Sequence, residues 1–316
     1  MASTRRRDNR IIGVIQSSFP CVFAPVPSQF LRPARWGRLS LACLLALAAC
    51  APIQALNALE PASRVQATRD IAYAPGARHA LDVYAPRLRR PPAPVVVFFY
   101  GGSWDSGRRQ DYRFVGEALA SRGYLAIIPD YRLYPDVDWR GFLEDSALAV
   151  RWAKDHAAAY GGDPRRLVLV GHSAGAYNAA MLALDGRWLA KVGMSPNRDL
   201  RGMAGLAGPY DFLPLQSDKL KTIFGPPAGR ADTQPINHIE AGAPPLWLGT
   251  DQRDKYVDPR NSQRLAAAAT AKGVEAETKV YPGLNHELMV GVIATPLRWL
   301  APVFRDLTDF IDRRTR

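Results

Sequence analysis

From about Arg69 onward the apolar positions of the chain alternate between two periods. RDIAYA (69–74) and HALDVYA (79–85) alternate apolar with polar, as half-buried paired strands do, and Pro75-Gly76 between them supplies a turn. APVVVFFY (93–100) is instead a continuous β-branched run, the pattern of a strand buried on both faces. DYRFVGEALASRG (111–123) reads as a helix stopped by a glycine, and YLAIIPD (124–130) as the next buried strand. Residues 139–160 carry apolar side chains at helical spacing: Phe142, Leu143, Ala147, Val150 and Ala153. GGDPRR (161–166) then reads as a turn, LVLV (167–170) as a strand and AYNAAMLAL (176–184) as a helix. RGMAGLAG (201–208), PPLWLG (244–249) and EAETKVYPG (275–283) are further strand patterns. PRNSQRLAAAATAKG (259–273) and 296–314 are helix patterns, the latter closing the chain.

Strands separated by helices of 10 to 20 residues predict an α/β fold: a mostly parallel sheet of about eight strands with helices on both faces. Residues 212–243 are the least regular stretch, rich in Pro and Gly, and read either as an inserted lid or as a surface excursion.

Composition adds two constraints. The chain has 316 residues and a net charge of +12, a value that suggests nucleic acid. Half of that charge, however, sits in residues 1–49, which hold seven Arg and one Asp. The other Arg residues come in scattered pairs such as Arg89/Arg90, Arg108/Arg109, Arg165/Arg166 and Arg313/Arg314, without a basic stripe interleaved with aromatics. They read as a solvated basic surface, and nucleic acid is not an expected partner. The three cysteines are Cys21, Cys43 and Cys50, so the body must work without cysteine chemistry or thiolate metal ligands.

LRPARWGRLSLACLLALAAC (31–50) has the build of an export signal. Arg32, Arg35 and Arg38 form the basic part, and 39–49 form an apolar run of 11 residues, too short for the ~20 helical residues that span a bilayer. Its end, Leu47-Ala48-Ala49-Cys50, resembles the lipobox of bacterial lipoproteins. That resemblance implies cleavage before Cys50, lipid attachment to its thiol and a place on the periplasmic side; Ala51 at the following position implies the outer membrane. The expected organisation is a leader (1–49), a linker after the anchor (50–66) and a catalytic domain (67–316), with 1–30 read as a disordered extension.

The chemistry is concentrated where LVLV meets the next helix. Gly171-His172-Ser173-Ala174-Gly175 places one serine between two glycines at a strand-to-helix turn. A sharp turn of this kind lifts the hydroxyl above the sheet, the small neighbours let strand and helix approach, and the helix N-terminus faces developing negative charge. An ordinary glycine turn is the alternative, but the strand before it and the helix after it are what a nucleophile elbow requires. A serine hydroxyl needs a base. His79, His156 and His238 lie in segments where a structural role suffices, and His172 would project beside the serine and not toward its hydroxyl. His286 follows the last strand, in a loop at the edge where parallel-sheet active sites gather, and is the expected base. Its orienting carboxylate comes from LWLGTDQRDKYVDPRNS (246–262), which offers Asp251, Asp254 and Asp258.

The order serine, aspartate, histidine resembles that of the α/β-hydrolases. In that family the acid often stands as Asp-x-x-Val after this strand, a pattern met by Asp254-Lys255-Tyr256-Val257. Asp254 is therefore the implied acid, with Asp251 and Asp211 held in reserve; Asp258 is read as a helix cap. Tyr100-Gly101-Gly102-Ser103-Trp104 resembles the His-Gly-Gly-x-Trp loop of bacterial carboxylesterases and arylformamidase-like hydrolases, with Tyr100 standing where that family usually has His. YGGDPRRLVLVGHSAG (160–175) is similar to the same esterases, and the resemblance extends over about 67–316. It implies an oxyanion hole from the main-chain amides of Gly101, Gly102 and Ala174 and a bracing role for position 100. Ser103 is a pocket candidate, and Trp104, Tyr177 and Tyr210 read either as pocket residues or as buried packing.

The resemblance further implies hydrolysis of small-molecule carboxylic esters through an acyl-enzyme, with no metal or organic cofactor. Amide hydrolysis of the arylformamidase or peptidase type is the alternative enzyme reading, and a non-catalytic lipid-anchored binding protein the alternative outside enzymes. The sequence leaves the oligomeric state open.

Overall fold

The computed structural model describes residues 52–88 and 92–316; the leader, Cys50 and Arg89/Arg90 lie outside the described residues. The strands are β1 (Val65–Ala72), β2 (Ala80–Pro86), β3 (Ala93–Phe99), β4 (Leu125–Pro129), β5 (Gly162–His172), β6 (Gly202–Leu206), β7 (Leu246–Thr250) and β8 (Ala276–Val280). They form one sheet in the order β1-β2-β4-β3-β5-β6-β7-β8. β1–β2 and β2–β4 pair antiparallel, and every pair from β4–β3 to β7–β8 is parallel. The helices of eight or more residues are α1 (Pro52–Leu59), α2 (Arg113–Arg122), α3 (Trp139–His156), α4 (Ala174–Leu184), α5 (Arg260–Ala271) and α6 (Val303–Arg314).

Residue patterns explain the layers. β3, β4, β6 and β7 consist almost wholly of buried residues because helices cover both of their faces. The outer strands β1 and β8 expose polar side chains, Gln66, Thr68 and Arg69 in one and Lys279 in the other, which discourages edge pairing. α6 turns Val303, Phe304, Leu307, Phe310 and Ile311 inward at helical spacing. Every residue of α4 is buried, and its alanines allow the close approach of helix to sheet on which the elbow depends.

Three boundaries differ from the sequence expectation. GGDPRR reads as a turn, yet β5 begins at Gly162, since Ala93 and Pro94 pair with Gly162 and Asp163 before a register shift leads into LVLV. The last helix starts at Val303, because Pro302 can stand at a helix start but not inside one. The stretch read as a linker contains α1 and the first two residues of β1. α1 is tied down by Asn57, whose side chain accepts from the Phe114 amide (2.9 Å) and donates to the carbonyls of Gln110 (3.0 Å) and Asp111 (3.2 Å).

Candidate active site

The sheet delivers four loops to one end. The first is the elbow between β5 and α4. Ser173 has φ 54° and ψ −123°, a strained conformation held because both flanks are packed. A Cβ at Gly171 would lie 2.3 Å from the carbonyl oxygen of Gly175, and one at Gly175 would lie 2.1 Å from that of Phe99, so neither position admits a side chain. The Ala174 amide opens α4 and has no acceptor within the helix.

The second loop follows β3. Gly102, Ser103 and Trp104 all have positive φ, at 136°, 50° and 61°, which folds the main chain back over the serine. Gly101 packs directly behind Ser173, and Gly102 lines the cavity beside Ser173 and Ala174. Tyr100 anchors this loop from below. Its hydroxyl donates to Asp130 Oδ1 (2.8 Å) and accepts from the Arg78 guanidinium (2.8 Å), and its ring stacks between Tyr112 and Tyr131. Arg78 also donates to the Gly107 carbonyl (2.8 Å) at the far end of the loop.

Arg109 corrects the reading of the paired arginines as solvated surface. It is only 6% exposed and donates to Asp82 (2.9 Å), Asp130 and Asp70. The bulge in β1 between Thr68 and Ile71 puts Asp70 within its reach. A buried guanidinium is tolerated here because carboxylates surround it.

The third element joins two loops, one after β7 and one after β8. Asp254 Oδ2 lies 2.7 Å from His286 Nδ1, and its Oδ1 accepts from the amides of Tyr256 (2.8 Å) and Val257 (2.9 Å). Burial works to raise the pKa of this carboxyl, but the hydrogen bonds from His286, Val257 and Tyr256 outweigh it and hold the group below its ordinary range. His286 Nε2 lies 2.8 Å from Ser173 Oγ. Ser173, His286 and Asp254 thus form one continuous hydrogen-bonded line.

His172 has a different task. Burial, aided by the adjacent His286 ring, pushes its pKa down to about 3, so the ring is neutral. Its Nε2–H donates to the main-chain carbonyl of His286 (2.9 Å), fixing the backbone at that residue. Sequence reasoning places His172 beside the serine as a packing residue, and the structure adds this bond. The three other histidines lie apart from the line: His79 pairs with Asp145 (3.0 Å), His156 stacks on Trp152, and His238 bonds the Asp232 carbonyl.

The reserve acids fall elsewhere. Asp251 is fully buried, accepts from the Arg253 amide (2.7 Å) and leaves its other oxygen without a partner; burial raises its pKa. Asp211 pairs with Arg264 (2.6 Å) in the cavity wall. Asp258 accepts from the Arg260 amide (2.9 Å) at the start of α5, as its capping role predicts.

The line opens into a cavity of about 880 Å³. Ser103 and Trp104 line it, as expected, with Tyr112, Phe212, Leu215 and Tyr256. Residues 212–243 therefore supply part of the wall, and Lys219 ties them to Asp105 of the loop after β3. Tyr177 and Tyr210 are not in the lining. Tyr177 is sealed behind Trp104, edge-on at 5.2 Å, and the Tyr210 hydroxyl is fitted against Gly205 and Gly208. Both face the interior because the aromatic cluster of Trp104, Phe212 and Phe224 occupies the space between Tyr177 and the cavity, and the two glycines leave a slot for Tyr210.

The BD-FAE family model matches residues 81–269, which run from β2 into α5 and include Ser173 and Asp254. The chain belongs to the BD-FAE family. This BD-FAE protein is 37% identical over 250 residues to a probable isoprenylcysteine alpha-carbonyl methylesterase of Oryza sativa subsp. japonica, covering 70% of the chain and 57% of that relative. It is 29% identical over 241 residues to carboxylesterase NlhH of Mycobacterium tuberculosis, covering 68% of the chain and 72% of the relative. The chain spans about half the length of the plant relatives it matches. Among solved structures, an inhibited form of esterase B from Lactobacillus rhamnosis superposes with a TM-score of 0.71 at 26% identity, over 86% of the chain and 96% of that protein. The fold is the α/β-hydrolase fold.

Proposed function

We propose that this BD-FAE protein is a serine esterase that cleaves carboxylic esters of small to medium acyl chains. Ser173 Oγ attacks the ester carbonyl while His286 Nε2 takes its proton, and Asp254 holds the tautomer and stabilises the imidazolium. The oxyanion forms against the main-chain amides of Ala174, Gly101 and Gly102. His286 returns the proton to the departing alcohol, leaving the acyl group on Ser173, and water activated by His286 then releases the acid. The observation that carries this reading is the unbroken Asp254–His286–Ser173 line, 2.7 Å and 2.8 Å long in its two steps, at the floor of a cavity also lined by Gly102 and Ala174. The esterase names of the relatives support the same reading. We further propose that the chain is exported and anchored through a lipid on Cys50, on the periplasmic side of the outer membrane, which rests on the lipobox-like end of the leader.

The test is a kinetic panel of p-nitrophenyl esters, N-formyl aromatics and peptide amides on the wild-type chain and Ser173→Ala. Esters turn over fastest, and the variant loses ~10⁴-fold or more in kcat. Unchanged ester turnover in Ser173→Ala overturns the mechanism, and faster turnover of an amide or formamide overturns the substrate class.

A further inference from the structure

The chain just after Cys50 is clamped to the body. Glu60, at the end of α1 and only 6% exposed, accepts from the Thr295 amide (2.6 Å) and hydroxyl (3.0 Å) and pairs with Arg298 (3.4 Å). Asn57 makes the bonds to the start of α2 given above, and the Arg113 guanidinium donates to the Asn57 carbonyl. α1 therefore joins the body through both its polar side chains and Leu56, which packs against the core.

Around that clamp the surface is unusually apolar. Leu59, next to Glu60, is 62% exposed. Trp299 and Leu300, next to Arg298, are 80% and 40% exposed. Single exposed leucines are ordinary. Trp299 is not, since each of the other five described tryptophans is at most 8% exposed. Its indole N–H donates to the Pro296 carbonyl (3.1 Å), so the exposed ring has its polar group already satisfied.

We propose that Leu59, Trp299 and Leu300 form a bilayer-contact face that seats the catalytic domain at the lipid–water interface. The proposal rests on the lipidation of Cys50 given above. Pro52, where α1 begins, stands two positions after Cys50. Two residues reach about 7 Å, close to the depth of the headgroup layer. A lipid on Cys50 therefore holds the clamped helix, and the apolar surface beside it, against the bilayer. Tryptophan favours that interface, and a lipid chain together with a second contact holds more firmly than the chain alone. The tether is thus short, and the clamped helix after it gives the domain one orientation toward the membrane.

The experiment uses the mature lipidated chain beginning at Cys50, reconstituted with phosphatidylethanolamine–phosphatidylglycerol vesicles that carry bromine on their acyl chains. Trp299 is the one exposed tryptophan among the described residues. Bromolipid quenches tryptophan emission, the quenching disappears on adding Trp299→Phe, and turnover of a water-soluble ester changes less than about twofold. Emission unaffected by bromine overturns the proposal. If the protein still floats with the vesicles in that case, the tether alone holds it; if it sediments as a dimer, a second copy covers the face. The mass of the peptide beginning at Cys50 is read separately: a missing acyl group refutes the lipid anchor, while quenching continues to decide the contact face.

Discussion

The two halves of the site are held in different ways. Ser173 and the loop after β3 are built from main chain in forced conformations, at Ser173, Gly102, Ser103 and Trp104, with no room for side chains at Gly171 or Gly175. Beneath them lies a charged cluster of half-buried Arg78 with buried Arg109, Asp82 and Asp130. Asp254 and His286 follow β7 and β8, and a few hydrogen bonds fix them: two amides on Asp254, the Asn285 cap (2.8 Å to the Leu288 amide), and His172 on the His286 carbonyl. In the proposed mechanism, oxyanion stabilisation requires donors that are in place before the charge develops, which the forced main chain supplies, and the relay needs one aligned pair of bonds, which the side-chain contacts supply.

Substitutions that strike each half separately sharpen that contrast. The largest effect falls on the acid. Asp254→Asn keeps the shape but turns an amide toward His286 Nδ1, favouring the wrong tautomer, and kcat falls ~10³- to 10⁴-fold with little change in KM. Stopped-flow or steady-state assays read this directly, and a loss under tenfold would move the acid's role to another residue.

Tyr100→Phe comes next. It removes the hydroxyl between Asp130 and Arg78 without changing the ring stack. kcat falls about tenfold through a loosened oxyanion loop, KM stays near its wild-type value, and Tyr100→His restores part of the rate. Equal loss in Tyr100→Phe and Tyr100→His would leave the hydroxyl without a bracing role.

The smallest effect belongs to Asp251. Its folded pKa is raised, so its ionised form weakens the fold once pH rises through that value, and the penalty is absent below its unfolded value. Asp254 is the reverse: its carboxylate adds stability above its unfolded value and loses it as pH falls through the lowered folded value. Asp251→Asn therefore keeps activity within about threefold and raises Tm by ~2 °C at neutral pH. A collapse of activity in this variant would make Asp251 the orienting acid.

Much of this was legible in the sequence for physical reasons. β3, β4 and the LVLV part of β5 are continuous apolar runs bounded by glycine and helix signals, so their order and burial could be read directly, and the elbow follows the last of them. The placement of Ser173, His286 and Asp254 followed from order along the chain combined with the resemblance to α/β-hydrolases. Arg109 was not legible, because its three carboxylates come from β1, β2 and the end of β4 and meet only in the folded sheet. Tyr177 and Tyr210 stayed open between pocket and packing for a related reason: closeness in sequence to Ser173 and Asp211 does not decide which side of an aromatic cluster a ring occupies. The docking of α1 rests on polar contacts across more than 200 residues, for which a short helix carries no local signal.

The central claim is that Ser173 is activated by His286. Its most direct test is labelling with a fluorophosphonate probe, read by peptide mass. The account predicts one adduct, on Ser173, absent in Ser173→Ala and formed at least ~10³-fold more slowly in His286→Ala. An adduct on another residue, or labelling of Ser173 at the same rate without His286, would contradict it.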